Sequence, residues 1–234
     1  MKIEGSIALV TGANRGLGRR FAEQLLERGA AKVYAAARDP RTVTTPGVEP
    51  VVLDLLDPAS IARAAALAGD VDLLVNNAGV MTGQNLVRGD LAGIRREMDT
   101  AFYGTLAVTR AFADTLAANG GGAVVNVLSA LSWFSWPGAT AYSAAKAAEW
   151  SLTNGTRVEL AAQHTQVVGV HLGAADTDMM AGYDGPLLDP ADVVRLTLDG
   201  LSAGAAEVLI DDWSRTAKAG VAEDPATFYA RVTT

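Results

Sequence analysis

Seven short apolar runs divide the chain, at residues 7–10, 31–37, 51–53, 71–75, 123–128, 167–172 and 207–210. Most hold valine, leucine and alanine without polar alternation, the pattern of strands buried on both faces. Between them the apolar residues recur at helical spacing. Residues 19–28 read as an amphipathic helix ended by Gly29, and residues 59–67 as a second one capped by Asp57 or Ser60. Residues 88–119 carry a longer helical pattern, with Leu91, Ile94, Met98, Phe102 and Leu106 as its core side and Arg95, Arg96 and Glu97 as its polar side. Another helix runs from about residue 141 to 160, and a last one from Pro190 toward residue 210, before the final strand. Strand and helix alternate from end to end, which predicts an α/β fold: a doubly wound parallel sheet with helices on both faces. No repeat or linker interrupts it. One Rossmann-like domain over residues 1–234 is expected, its cofactor half at about 1–125 and its catalytic and substrate half at about 126–234.

Composition narrows the chemistry. The 234 residues are half hydrophobic, with a net charge of −7. That balance argues against nucleic acid or an anionic membrane surface as the main partner. There is no cysteine, which excludes disulfides, thiolate catalysis and cysteine metal sites. His164 and His171 lack metal-ligand spacing and read as structural. The opening MKIEGSIALV shows no basic region followed by a long apolar core, so a cytoplasmic protein without a membrane span is expected.

The first strand runs into Thr11-Gly-Ala-Asn-Arg-Gly-Leu-Gly18 and then a helix. Strand, glycine loop and helix form a phosphate cradle, since glycine lets the backbone approach and helix-start N–H groups meet negative charge. The second strand ends in Arg38-Asp39, where dinucleotide folds read the adenosine ribose. Arg38 and Arg15 together favour a 2′-phosphate, hence NADP(H); Asp39 weakens that reading if it points inward. Ser129 ends the fifth strand, and Tyr142 and Lys146 stand one helical turn apart on the following helix. A serine can hold a carbonyl oxygen while the tyrosine exchanges its proton, and the neighbouring ammonium is expected to lower the tyrosine pKa. Trp133, Phe134 and Trp136 after Ser129, with Met179, Met180 and Tyr183 further on, would make an apolar substrate pocket; packing under their own loop or at a subunit interface is the other reading for the three aromatics.

In this order the motifs resemble the short-chain dehydrogenases/reductases. The glycine loop (Gly12, Asn14, Arg15, Gly16, Leu17, Gly18) looks like that family's cofactor loop, and Asp54 with Leu55 like its adenine contact. Asn76-Asn77-Ala78-Gly79 resembles its fourth-strand motif, and Ser129 with Tyr142 and Lys146 its catalytic set. Gly173 and Thr177 fall in its segment facing the nicotinamide. The resemblance implies reversible hydride transfer between NADP(H) and a carbonyl or secondary alcohol, with Tyr142 as general acid, Ser129 orienting the oxygen and Lys146 on the nicotinamide ribose. It also implies a homodimer or homotetramer built through the helices around 90–118 and 141–161. Two residues depart from the family pattern: Ala101 stands where an asparagine is usual, and Leu172 where a proline is usual. An NAD-linked alcohol dehydrogenase, or a nucleotide-sensing protein with little turnover, are the alternatives.

Overall fold

The computed structural model describes residues 1–232. Its seven strands form one parallel sheet in the order β3-β2-β1-β4-β5-β6-β7. They are β1 (Ile7–Thr11), β2 (Lys32–Ala37), β3 (Glu49–Val52), β4 (Leu73–Asn76), β5 (Ala123–Val127), β6 (Gln166–His171) and β7 (Glu207–Leu209). Helices α1 (Gly16–Glu27) and α6 (Pro190–Ser202) cover one face, with Phe21, Leu25, Val194 and Leu198 packed on Ala8, Val10, Val125 and Val168. On the other face α2 (Pro58–Leu67) and α4 (Thr105–Ala118) bring Ile61, Phe112 and Leu116 onto Leu9, Leu74 and Val124. Successive strand residues feed opposite cores, which is why the strand sequences are apolar without alternation. Strand order reverses between β1 and β4, and that switch point opens a crevice at the carboxyl ends of the strands.

Local chemistry sets the boundaries. Asp57, not Ser60, caps α2 by accepting from Ala59 N at 2.9 Å; Ser60 is buried and accepts from Asp54 N at 3.0 Å. The last sheet-covering helix stops at Ser202 and does not run on toward residue 210, because the chain turns through Gly204 at φ +78° before β7. Two further helices, α7 (Asp212–Gly220) and α8 (Pro225–Val232), close the described chain. No helix of the described residues is long and apolar enough to cross a membrane.

The long helical pattern needs the largest correction. It divides into α3 (Leu91–Met98), a π-type turn at Asp99–Gly104, and α4. The wider turn rotates the faces of the two helices relative to one another, so a single 3.6-residue stripe misassigns them. Leu91 is exposed, and Ile94, Met98, Phe102 and Leu106 are only half-buried. Glu97, expected on the solvent side, is instead fully buried, as are Ala101, Gly104 and Thr105. Gly104 is required there, because a Cβ would meet the Leu55 side chain at 2.9 Å.

Candidate active site

The chain leaves β1 through Gly12 and Gly16, both at positive φ (+65° and +53°), and enters α1 with no side-chain cap. The first N–H groups of α1 are therefore left for an anionic ligand. Gly18 does not line the cleft. A Cβ on it would strike the Gly12 carbonyl at 2.1 Å, so its small size lets helix and loop pack together. The Thr11 hydroxyl accepts from Asn77 N and Ala78 N, each at 3.0 Å, and Asn77 Nδ2 donates to Thr11 O at 2.9 Å. These bonds tie the end of β4 to the glycine loop, which brings Asn77, Ala78 and Gly79 onto the cleft wall beside Asn14 and Leu17.

At the outer end of the cleft stand Arg15, Arg38, Asp39, Asp54 and Leu55. Arg38 is exposed and makes no ion pair with the described residues, whereas Asp39 is taken up locally. Arg41 N and Nε donate to Asp39 Oδ1 at 3.0 and 2.9 Å, and Arg41 NH2 to Oδ2 at 2.9 Å, which lowers the Asp39 pKa. Asp39 is thus engaged within its own turn. Arg15 reaches across to Asp178 at 3.1 Å, an exposed pair.

At the inner end β5 delivers Ser129, whose hydroxyl accepts from Leu131 N at 3.1 Å and lies close enough to the Tyr142 phenol to favour its ionised form. Its carbonyl accepts from His171 Nδ1 at 3.1 Å, so the buried imidazole carries its proton on that nitrogen. Desolvation, followed by the nearby Lys218 and Lys146 charges, depresses His171 to about 4 against its Ser129 hydrogen bond. Helix α5 (Thr140–Glu159) carries Tyr142 and Lys146. Lys146 Nζ donates to Val127 O at 2.8 Å and to Glu149 Oε2 at 2.6 Å; Thr105 Oγ1 donates to Glu149 Oε1 at 3.1 Å.

The Tyr142 pKa is raised, contrary to the sequence expectation. Burial is the largest cause, and the carboxyl groups of Glu149 and Glu97 add to it; Lys146 and the Ser129 hydrogen bond pull down but are outweighed. Lys146 is raised too, since burial lowers it less than Glu149 and Tyr142 raise it. Tyr142 is therefore a protonated phenol across neutral pH.

Phe134, Trp136, Met179, Met180 and Tyr183 line the mouth beyond Ser129. Trp133 does not. Its ring stacks on His171 at 3.8 Å and meets Trp150 edge-on at 6.0 Å, beneath the loop. Its place on the wall is taken by Trp213 of α7, stacked on Phe134 at 5.7 Å and edge-on to Trp136 at 6.1 Å. Nothing local in the sequence marks Trp213; a tryptophan four residues past a strand was the only signal. Gly173 N donates to Asp211 Oδ2 at 2.9 Å, and a Cβ there would come within 2.6 Å of that oxygen. Leu172 is buried, and its carbonyl accepts from Ala130 N at 2.8 Å. Thr177 borders the cleft against Gly16. The whole cleft measures about 1160 Å³, above the roughly 300–1,000 Å³ of drug-sized ligand pockets. Its glycine cradle, uncapped helix start and unpaired Arg38 fit a phosphorylated dinucleotide.

The short chain dehydrogenase profile matches residues 6–185. The chain belongs to this family. An NADPH carbonyl reductase from Sus scrofa is 34% identical over 176 residues, covering 73% of this short-chain dehydrogenase and 72% of the relative. A short chain dehydrogenase from Burkholderia cenocepacia, solved in complex with NADP, is 40% identical with a TM-score of 0.95 and full coverage of both chains. A 3-ketoacyl-(acyl-carrier-protein) reductase from Brucella melitensis, solved with NADH, is 26% identical with a TM-score of 0.82, covering 89% and 98%. The chain is thus an oxidoreductase with the family's seven-stranded single-sheet architecture.

Proposed function

We propose that this short-chain dehydrogenase uses NADP(H) and reduces hydrophobic or aromatic ketones to secondary alcohols. The observation that carries the reading is the convergence of Ser129, Tyr142 and Lys146 on one cleft whose outer rim offers Arg38 unpaired while Asp39 is held by Arg41. The NADP-bound Burkholderia relative supports the cofactor and the Sus scrofa reductase the direction. The aromatic and methionine wall suits an apolar substituent on the carbonyl.

The residues that would hold the dinucleotide run from rim to floor. Arg38 and Arg15 take the 2′-phosphate, Asp54 and Leu55 border the adenine, and the amides of the glycine loop receive the pyrophosphate. Asn77, Ala78 and Gly79 flank the path inward, Thr177 and Gly173 face the nicotinamide, and Lys146 bonds its ribose. The bound cofactor supplies or accepts the hydride. Ser129 holds the carbonyl oxygen, Tyr142 donates its proton to that oxygen, and Phe134, Trp136 and Trp213 exclude water and orient the ketone. Tyr142 carries the proton that this direction consumes. For the reverse reaction, deprotonation must come first, so oxidation rises with pH above neutrality. Assembly as a homodimer or homotetramer through the helices around 90–118 and 141–161 belongs to the same reading, and Leu91, Tyr103 and Val158 are exposed apolar side chains on those stretches. A cytoplasmic setting, where NADPH is abundant, completes the reading.

The test is NADPH consumption with a panel of aryl and alkyl ketones, run beside NADH. Turnover with NADPH and markedly weaker NADH binding is expected; equal affinity for the two overturns the cofactor assignment, and binding without any turnover overturns the reductase.

A further inference from the structure

Glu149 has no part in the chemistry described so far, yet it is among the most deeply placed charges in the molecule. Its side chain is 1% exposed, and Lys146, its partner at 2.6 Å, is 4% exposed. A carboxylate that deep is strongly unfavourable unless it is paired and hydrogen-bonded. Both conditions are met, by the ammonium on one oxygen and the Thr105 hydroxyl on the other. Lys146 in turn has three N–H donors, of which Val127 O and Glu149 take two, and the residue borders the cleft. Ala101, four residues before Thr105 in the π-type turn, has only a methyl side chain.

We propose that Glu149 is a positioning residue of this site. It pins the Lys146 ammonium against the end of β5 with one N–H to spare, and it offsets that ammonium's charge at Tyr142. This rests on the reductase reading above.

The charges around Tyr142 carry the argument. Lys146 and Glu149 lie on its own helix, the Glu97 carboxyl comes from α3, and the Ser129 hydroxyl from the end of β5. Beyond Lys146 stands His171, depressed to about 4 and so neutral near pH 7. A lone ammonium beside a phenol favours the phenolate; an ammonium already matched by a carboxylate does so far less. Glu97 acts in the same direction as Glu149. It accepts from the Thr82 amide and, at 2.7 Å, from the Thr82 hydroxyl, and among the described residues its Oε2 has no hydrogen-bond partner.

Glu149→Gln removes the charge while keeping the size and an acceptor for Thr105; Glu149→Asp keeps the charge and lengthens the pair. The direct readout is the ultraviolet tyrosinate titration of the apoprotein, with Tyr142→Phe in each background subtracted to isolate one phenol. The midpoint is expected to fall by about one pH unit in the Gln variant and by less in the Asp variant. Reductive kcat at neutral pH falls about tenfold in Glu149→Gln because Lys146 loses its anchor, the NADPH dissociation constant stays within about threefold, and the alkaline rise of the oxidative reaction moves to lower pH. A Tyr142 midpoint unchanged in both variants, or a loss confined to NADPH binding, overturns the proposal. If the Gln variant fails to fold, the Asp variant decides alone: a lower midpoint supports the proposal and an unmoved one overturns it. A wild-type protein that binds NADPH but reduces no ketone sinks the reductase reading only, because the titration reads Glu149 without turnover.

Discussion

The two ends of the cleft use charge in opposite ways. At the outer end, Arg38 stands exposed with no ion pair to the described residues, and Arg15 is bound only by an exposed bridge to Asp178. At the inner end, Lys146 is enclosed and held by Glu149 and Val127. An exposed guanidinium is inexpensive to leave unpaired, because water solvates it until a phosphate arrives. A buried ammonium cannot wait in that way and must carry its partner with it. Recognition of a charged ligand belongs at the rim, and control of a proton belongs on the floor.

This contrast is open to direct attack, and the largest effect is expected on the floor. Tyr142→Phe should reduce reductive kcat on the order of 10²–10⁴-fold with NADPH affinity retained, measured by cofactor fluorescence beside turnover. A comparable loss of binding would mean that the floor also recognises the cofactor. At the rim, Arg38→Asp should weaken NADPH roughly 10–100-fold, the range lost with charge-assisted hydrogen bonds, while NADH binding holds or improves. Equal losses for both cofactors would remove the phosphate assignment. Between the two ends, His171 gives a pH signature. Its pKa is near 4 when folded and about 6.5 when unfolded, so the unfolded chain binds the extra proton between those values. Its contribution to stability is complete above about pH 6.5 and lost as pH falls toward 4, about 3 kcal/mol in all. Denaturant titrations of wild type and His171→Gln across this window should show the acid slope shrinking in the variant, and an identical slope would assign the acid sensitivity elsewhere. The smallest effect belongs to Asp178→Ala, which breaks an exposed bridge and should leave the melting temperature essentially unchanged.

How much of this was legible beforehand follows from how local each signal is. The glycine loop, the end of β2 and the Tyr142–Lys146 pair are set by residues within one turn or one strand end, and sequence spacing places them well. Alternation of strands and helices specified the sheet for the same reason. Glu149 lay in plain view three residues after Lys146, but its role depends on Thr105 and on burial under α4, which no spacing reports. The π-type turn at Asp99–Gly104 hid the true inward face of the long helical stretch and with it Glu97. Trp213 stands where Trp133 was expected for a similar reason: which aromatic reaches the cleft is decided by His171 stacking on Trp133 and by α7 carrying Trp213 back over Phe134.

That return of α7 has an evolutionary corollary. The rim groups proposed to choose between dinucleotides come from the first quarter of the chain, whereas the aromatic panel proposed to face the ketone comes from the loop after β5, the segment after β6 and α7. Exchange of the C-terminal portion between relatives would retune what is reduced while leaving untouched the currency in which the electrons arrive.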